Sequence, residues 1–302
     1  MNALLIGLGN IGFKYDLDNK KGFYRTHSKA LKKVNYFKKV SVVDIDEKKL
    51  KLAKLKYNFE TFKRIKVAVN FTKPNFVIIA TNTNKHYTNI IELINLHVPK
   101  IILIEKPISN NFKNVKKIIN LCHKKRIRIF TNFIRRSEKS LLEIKKIHLR
   151  GSYRGKVYYN KGFLNNGSHW INLLEYLFGK LVNFSIISSK KNKSDKNISV
   201  KLKFKNHEID LINDKNKVNS NYMIIESNNN QINYLDGGKN IFVVDKKKNK
   251  RISIKNSMKK YQLNVMYEII KVIKKKKVYN LCNKEESLSN FDSIFKIYSK
   301  KK

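Results

Sequence analysis

"ALLIGLGNIG", residues 3–12, is the stretch that decides the fold of this 302-residue chain. Residues 3 to 8 read as a continuous apolar strand, buried on both faces as in a parallel sheet. Gly7, Gly9 and Gly12 then fit the pattern G-x-G-x-x-G, with Asn10 and Ile11 completing the loop. In such a loop the first glycine makes the tight turn and the second lets backbone N–H groups approach a pyrophosphate. The third lets the following helix pack close to the strand, with its N-terminus facing the anion.

Working outward, further apolar runs follow at regular intervals: "VSVVDID" at 40–46, "NFVIIAT" at 75–81, "KIILIE" at 100–105 and "IRIFTNF" at 127–133. Helix-like stretches such as "HSKALKKV", "HYTNIIELINLH" and "NVKKIINLCHKK" separate them. Strands alternating with helices of this length predict βαβ units and a doubly wound parallel sheet. After about residue 150 the rhythm changes. "KVYYN", "VNFSIIS", "NISVKLKF", "HEIDLIND", "YMIIES", "QINYL" and "NIFVVD" succeed one another across short polar connections, with helical patterns only at 168–178 and near the C-terminus. The expectation is an α/β chain: a doubly wound dinucleotide-binding sheet over 1–132, then an α+β domain over 133–302 with a large, mostly antiparallel sheet.

Composition bounds the function. The net charge of +44 invites a nucleic-acid or membrane-surface reading. The lysines, however, are spread along the whole chain, and arginine, the better bidentate phosphate ligand, is rare. A solvated basic surface is the expectation, with no dedicated nucleic-acid partner. The two cysteines, Cys122 and Cys282, lie far apart, so they form neither a disulfide framework nor a CxxC metal site, and no metal is expected. That cysteine usage fits a reducing cytoplasm. No run approaches the roughly 20 apolar residues that a membrane span needs.

Three further features carry chemistry. Asp44, at the end of the second apolar run, suits a ribose anchor: its carboxylate accepts from both ribose hydroxyls and repels a 2′-phosphate, favouring NAD over NADP. Asp46 competes for that role, and the spacing from the loop is long because "FKYDLDNKKGFYRT" is inserted before the helix resumes near His27. "EKP", Glu105-Lys106-Pro107, ends the fourth run at the edge where open α/β sheets bind ligands. There Lys106 can meet a substrate hydroxyl or carbonyl, its pKa drawn down by a positive nicotinamide ring. In the second half, "YYNKGFLNNGSHWINLLEYLFG" at 158–179 sets the polar loop Asn165-Asn166 before a helix. Ser168 is expected to cap that helix, Ile171, Leu174 and Leu177 to form its apolar face, and His169 to sit in its first turn.

In their order and spacing these pieces resemble the Gfo/Idh/MocA family of oxidoreductases, over nearly the whole chain. The resemblance implies oxidation or reduction of a secondary alcohol of a sugar, sugar acid or nucleotide sugar, with NAD or NADP as cofactor. It also implies a homo-oligomer, dimer or tetramer. By the same resemblance Lys106 is the catalytic or substrate-polarising lysine and His169 a proton-transfer group. Thr81, Asn82 and His86 of "TNTNKH" run beside the nicotinamide, and Glu105 joins the cofactor set. Asn165 and Asn166 position the sugar. The family usually has aspartate where this chain has Asn165, an amide that orients a hydroxyl but takes no proton. "NFIRR" at 132–136 matches a segment that reaches the substrate pocket, so Arg135 and Arg136 beside Lys161 are expected to hold a carboxylate or phosphate. A dinucleotide-binding sensor or scaffold without turnover is the alternative that Asn165 favours.

Overall fold

The computed structural model describes residues 1–18, 20–149, 151–191, 195–214, 221–276 and 280–300. They fall into two compact units that are not contiguous in sequence. One comprises residues 1–137 and 259–288, the other 138–258 and 289–302.

The first unit is built on β1 (Asn2–Ile6), α1 (His27–Val34), β2 (Lys39–Val43), α2 (Glu47–Tyr57), β3 (Glu60–Phe62), α3 (Ile65–Thr72) and β4 (Phe76–Ile79). It continues through α4 (Thr83–Leu96), β5 (Ile101–Ile104), α5 (Phe112–Lys124) and β6 (Arg128–Thr131). The six strands form one parallel sheet in the order β3-β2-β1-β4-β5-β6, the doubly wound arrangement expected from the alternating runs. Leu5 sits level with Val42 on one side and Ile78 on the other, and all three are fully buried. Strands covered by helices on both faces have no wet side, so they read as unbroken apolar runs. β3 escapes sequence reading because it is a three-residue edge strand with no buried residue to mark a period.

The inserted segment interrupts a helix. Phe13 N–H donates to the Gly9 carbonyl and Tyr15 N–H to Asn10, making one helical turn directly after the glycine loop. His27 and Ser28 N–H then donate to the carbonyls of Ile11 and Gly12, so α1 continues that turn as though the intervening residues were absent. Asp16 anchors the insertion from within: fully buried, it accepts from the Thr26 backbone N–H and hydroxyl and pairs with Arg25. Thr26 in turn caps α1 through Lys29 N–H.

The second unit holds α6 (Lys139–Glu143), β7 (Arg154–Tyr159), α7 (Ser168–Phe178), β8 (Asn183–Lys191), β9 (Lys196–Lys203) and β10 (Glu208–Asn213). β11 (Tyr222–Glu226), β12 (Asn230–Leu235), β13 (Asn240–Asp245) and β14 (Lys250–Ser253) complete it. Its eight strands run β14-β13-β12-β11-β7-β10-β9-β8, antiparallel except for the β7–β10 pair. Ile171, Leu174 and Leu177 of α7 are buried as their spacing predicts, and Trp170 of that helix meets Tyr234 of β12 edge to face.

The chain then returns to the first unit. α8 (Tyr261–Ile273) lays Val265, Met266, Ile269 and Val272 into the same apolar core as Leu5, Ala30, Leu31 and Phe130. α9 (Lys284–Ser299) begins in the first unit and ends in the second. Among the described residues no helix is long and apolar enough to cross a membrane, and no three metal-ligating side chains converge.

Both cysteines are buried and free. Burial in α5 pushes the Cys122 thiol up to about 12, so almost no thiolate exists at neutral pH. Cys122 is therefore expected to resist iodoacetamide at pH 8 in the native chain and to react fully in urea, as read by peptide mass. Rapid labelling of the native protein would contradict this.

Candidate functional site

The carboxyl ends of β1, β2, β4, β5 and β6 lie along one edge of the first unit's sheet, and the strand order reverses between β1 and β4. Open α/β sheets bind ligands at such a switch point. The sequence places the glycine loop after β1, Asp44 after β2, Thr81 and Asn82 after β4, and Glu105 and Lys106 after β5. One edge therefore carries the glycine loop, Asp44, Thr81, Asn82, Glu105 and Lys106, and Arg135 and Arg136 follow β6 at that same edge.

The glycine loop is held from beneath. Gly7 N–H donates to the Val43 carbonyl, and its φ of +105° is a conformation that suits glycine alone. A Cβ on Gly7 would stand 2.7 Å from the backbone of Ala80 and Thr81, and one on Gly12 would stand 2.2 Å from the Gly7 carbonyl oxygen. Gly9 differs: a Cβ there would meet nothing nearer than the Ala80 carbonyl oxygen at 4.0 Å. The loop is packed tight at its two ends and open at its middle, which is where a pyrophosphate would approach the N–H groups of the first helical turn. Asn10 is exposed and Ile11 half-buried at that opening.

Asp44 is tied to the loop itself. Its Oδ2 accepts from Leu8 N–H at 2.6 Å and its Oδ1 from Asp46 N–H at 3.0 Å, while Lys49 stands 3.5 Å from Oδ1. Asp46, the competing acid, is engaged otherwise: it caps α2 through Lys49 N–H and pairs with the Lys49 ammonium. Backbone and side-chain contacts to Lys49 hold the Asp46 carboxyl below the usual carboxylate range. The fit to a dinucleotide therefore favours Asp44 for the ribose. Asp44→Ala is expected to weaken NADH binding by roughly 30- to 150-fold by removing acceptors of two hydroxyl donors, at about 1–1.5 kcal/mol each. Isothermal titration checks this, and an unchanged affinity would remove Asp44 from the site.

Thr81 and Asn82 lead into α4. Asn82 occupies the cap position without capping through its side chain, and it is exposed. His86 lies deeper: it is buried, its Nε2 facing the Thr81 carbonyl at 2.9 Å and its Nδ1 facing the carbonyls of Pro107 and Ile108 at 3.1 and 3.3 Å. Burial pushes its pKa below the usual histidine value, against the pull of those carbonyls. His86 thereby bridges the segment after β4 to the segment after β5.

Glu105 is buried, with His27 Nε2 2.7 Å and Asn132 Nδ2 2.5 Å from the same Oε1. Lys106 is half-buried beside it. Arg135 and Arg136 are both buried, and Arg136 pairs with Glu286 at 2.5 Å, so neither forms a solvated basic turn.

In the second unit a wide π-type turn over Phe163–Gly167 precedes α7. Ser168 accordingly does not cap the helix: its hydroxyl donates back to the Leu164 carbonyl at 2.6 Å. Asp195, ahead of β9, accepts from Leu164 and Asn165 N–H and so clamps this turn. Asn166 donates to Asn160 and Asn221, while Asn165 is exposed and His169 half-buried. Lys161 is exposed, at φ +67°. Sequence reading did not single out His27, Asn132, Gln262 or Asp195, since each acquires its role from a residue that is distant in the chain. A cavity of about 250 Å³ at the edge strand β6, lined by His123, Arg126, Arg128 and Lys284 among others, contains none of the candidates.

Comparison with known proteins bears on this geometry. The model of the GFO_IDH_MocA oxidoreductase family, with an NAD-binding Rossmann fold, matches residues 1–133. No curated protein sequence matches the chain. Among solved structures, UDP-N-acetylglucosamine 3-dehydrogenase GnnA from Acidithiobacillus ferrooxidans is similar with a TM-score of 0.79 at 10% identity, covering 99% of this chain and 96% of that one. The dehydrogenase MviM from Clostridium difficile gives 0.78 at 18% identity over 98% and 97%. The WlbA dehydrogenase from Bordetella pertussis, solved with NADH and UDP-GlcNAcA, gives 0.72 at 13% identity over 98% and 95%. At these identities the likeness is one of fold.

Proposed function

We propose, for a chain whose residues 1–133 match the model of the GFO_IDH_MocA oxidoreductase family with its NAD-binding Rossmann fold, that its substrate is a secondary alcohol or ketone of a sugar, sugar acid or nucleotide sugar. The observation that carries this reading is the shared sheet edge: the glycine loop, open at Gly9 and tied to Asp44, and Lys106 at the end of β5. GnnA and WlbA, whose names or bound ligands are nucleotide sugars, support the substrate class.

NAD, when bound, supplies or accepts the hydride. The residues of the chain do the rest. N–H groups of the first helical turn receive the pyrophosphate, Asp44 accepts from the adenosine ribose, and Thr81 and Asn82 line the path toward the nicotinamide. Lys106 holds the substrate oxygen and moves its proton: away from the hydroxyl in oxidation, onto the carbonyl oxygen in reduction. In the second unit His169 is the further proton carrier, while Asn165 and Asn166 orient ring hydroxyls by hydrogen bonds. Arg135, Arg136 and Lys161 are proposed for a carboxylate or phosphate of the substrate.

A thermal-shift screen of NAD, NADP and nucleotide sugars, followed by NADH absorbance with each sugar that stabilises the protein, tests the reading. A raised midpoint with NAD or NADH and turnover with at least one sugar are expected. NADH binding without turnover across the panel would favour the second reading, a dinucleotide-binding sensor. Asn165 supports that reading, because an amide there cannot take a proton.

A further inference from the structure

Beneath the sheet edge lies a polar network that the reading above does not use. His27 opens α1 fully buried, and its Nε2 is 2.7 Å from Glu105 Oε1 although 78 residues separate them. Asn132, just past β6, reaches the same oxygen at 2.5 Å and the Gln262 Oε1 of α8 at 3.2 Å. A carboxylate only accepts, so both contacts are donations and the His27 Nε2 carries a proton. Burial pushes the Glu105 pKa up. The contact from His27, with help from Asn132 and Lys106, outweighs burial and holds its pKa below the usual carboxylate range.

The network is incomplete in a telling way. His27 Nδ1, Asn132 Oδ1 and Gln262 Nε2 are buried, and each lacks a partner among the described residues. What the arrangement does secure is one ionised carboxylate, fixed in place, next in sequence to Lys106. The titratable groups around Glu105 are His27 from α1, His86 from α4, Lys106 from its own segment and Tyr261 from α8. Burial, with Glu105 adding to it, raises the Tyr261 phenol so far that it stays neutral. The Asp16 charge also acts on Tyr261, and Asp16 is itself paired with Arg25.

We propose that His27 is a positioning residue that acts on Lys106 through Glu105: it keeps the carboxylate ionised and oriented, and the carboxylate keeps Lys106 in the ammonium form that can donate a proton. The consequence for catalysis rests on the function proposed above; the ionisation itself does not. Lys106 would then be poised as the acid that carbonyl reduction requires, until a positively charged oxidised nicotinamide draws its pKa down.

The full-length chain tests this without a substrate. Trace acetylation by isotope-coded acetic anhydride across pH, read by mass spectrometry, gives the midpoint at which Lys106 becomes reactive. Lys106 is the only lysine in residues 101–112, so its peptide reports it alone. Glu105→Gln is expected to lower that midpoint by about one pH unit. His27→Leu should lower it in the same direction by a smaller amount, because the carboxylate, left with Asn132 as its donor, is held less firmly in its charged form and in its place. His27→Gln, which keeps an N–H for the same oxygen, should restore the wild-type value, and His27→Leu combined with Glu105→Gln should move it no further than Glu105→Gln alone. If His27→Leu fails to fold by circular dichroism, His27→Asn, too short to reach Oε1, takes its place. An unmoved midpoint in folded Glu105→Gln or in the folded His27 variant overturns the proposal, as does a His27 effect that persists at full size without Glu105. Shifted midpoints in a protein that turns over no sugar would refute the enzymatic reading and leave the network standing.

Discussion

Gly9→Ala is expected to weaken NADH binding by about a hundredfold or more while leaving the melting temperature of the ligand-free protein unchanged within about 2 °C. The two effects separate because of where the added methyl goes. A Cβ on Gly9 faces open space, with only the Ala80 carbonyl oxygen at 4.0 Å, and the position needs no positive φ. Folding therefore tolerates it, and the lost chain entropy of the unfolded state even offsets small strain. The same methyl occupies the space a pyrophosphate must enter to reach the loop N–H groups. Losing two hydrogen bonds to a charged phosphate, at about 1.5 kcal/mol each, corresponds to roughly a hundredfold in affinity. Gly12→Ala is the control. Its Cβ would stand 2.2 Å from the Gly7 carbonyl oxygen, so the loop must move and folding loses about 1–3 kcal/mol or more along with affinity. Titration calorimetry and thermal melts on both variants decide the matter. NADH affinity retained in Gly9→Ala would mean that the dinucleotide does not seat on this loop.

Lys106→Ala is expected to lower kcat by about 10²- to 10⁴-fold, the range a positioned acid or base contributes, with NADH affinity little changed. Lys106 follows β5 at the same edge as the glycine loop, yet the pyrophosphate and ribose contacts proposed for the dinucleotide come from other segments. Chemistry and cofactor binding should therefore part company in this variant. Lys106→Arg should be almost as slow, because a guanidinium keeps its proton throughout the accessible pH range. Stopped-flow measurement of NADH oxidation with an active sugar, alongside NADH titration, gives both numbers. Turnover near the wild-type rate in Lys106→Ala would assign the proton to another group, with His169 the first to examine.

The glycine loop and the parallel sheet were legible in the amino-acid string because their causes are local. A buried parallel strand must be apolar at every position, and a turn that crowds backbone against backbone, as at Gly7 and Gly12, admits only glycine. The place of Asp44 directly after β2 was legible for the same reason, since the end of a strand is readable wherever the strand is. β3 and β14 were not, being short edge strands with little burial to impose a period. Ser168 misled because its sequence context suits a helix cap, whereas a π-type turn held by Asp195 starts the helical path earlier and turns the hydroxyl back on Leu164.

Polar partnerships were the illegible part. Nothing in "RTHSKAL" announces that His27 faces inward to meet Glu105, nor in "FIRRS" that Arg136 is buried against Glu286. The inserted segment 13–26 conceals the continuity of α1 with the glycine loop, which appears only in the hydrogen bonds from His27 and Ser28 back to Ile11 and Gly12. The return of α8 to the first unit brings Gln262 beside Asn132 across 130 residues. Sequence alone thus determined the backbone frame and the glycine loop, because periodicity and glycine geometry act between near neighbours. Which buried charge meets which donor belonged to the folded chain, because that depends on strand order and helix docking, set by the summed burial of residues far apart in sequence.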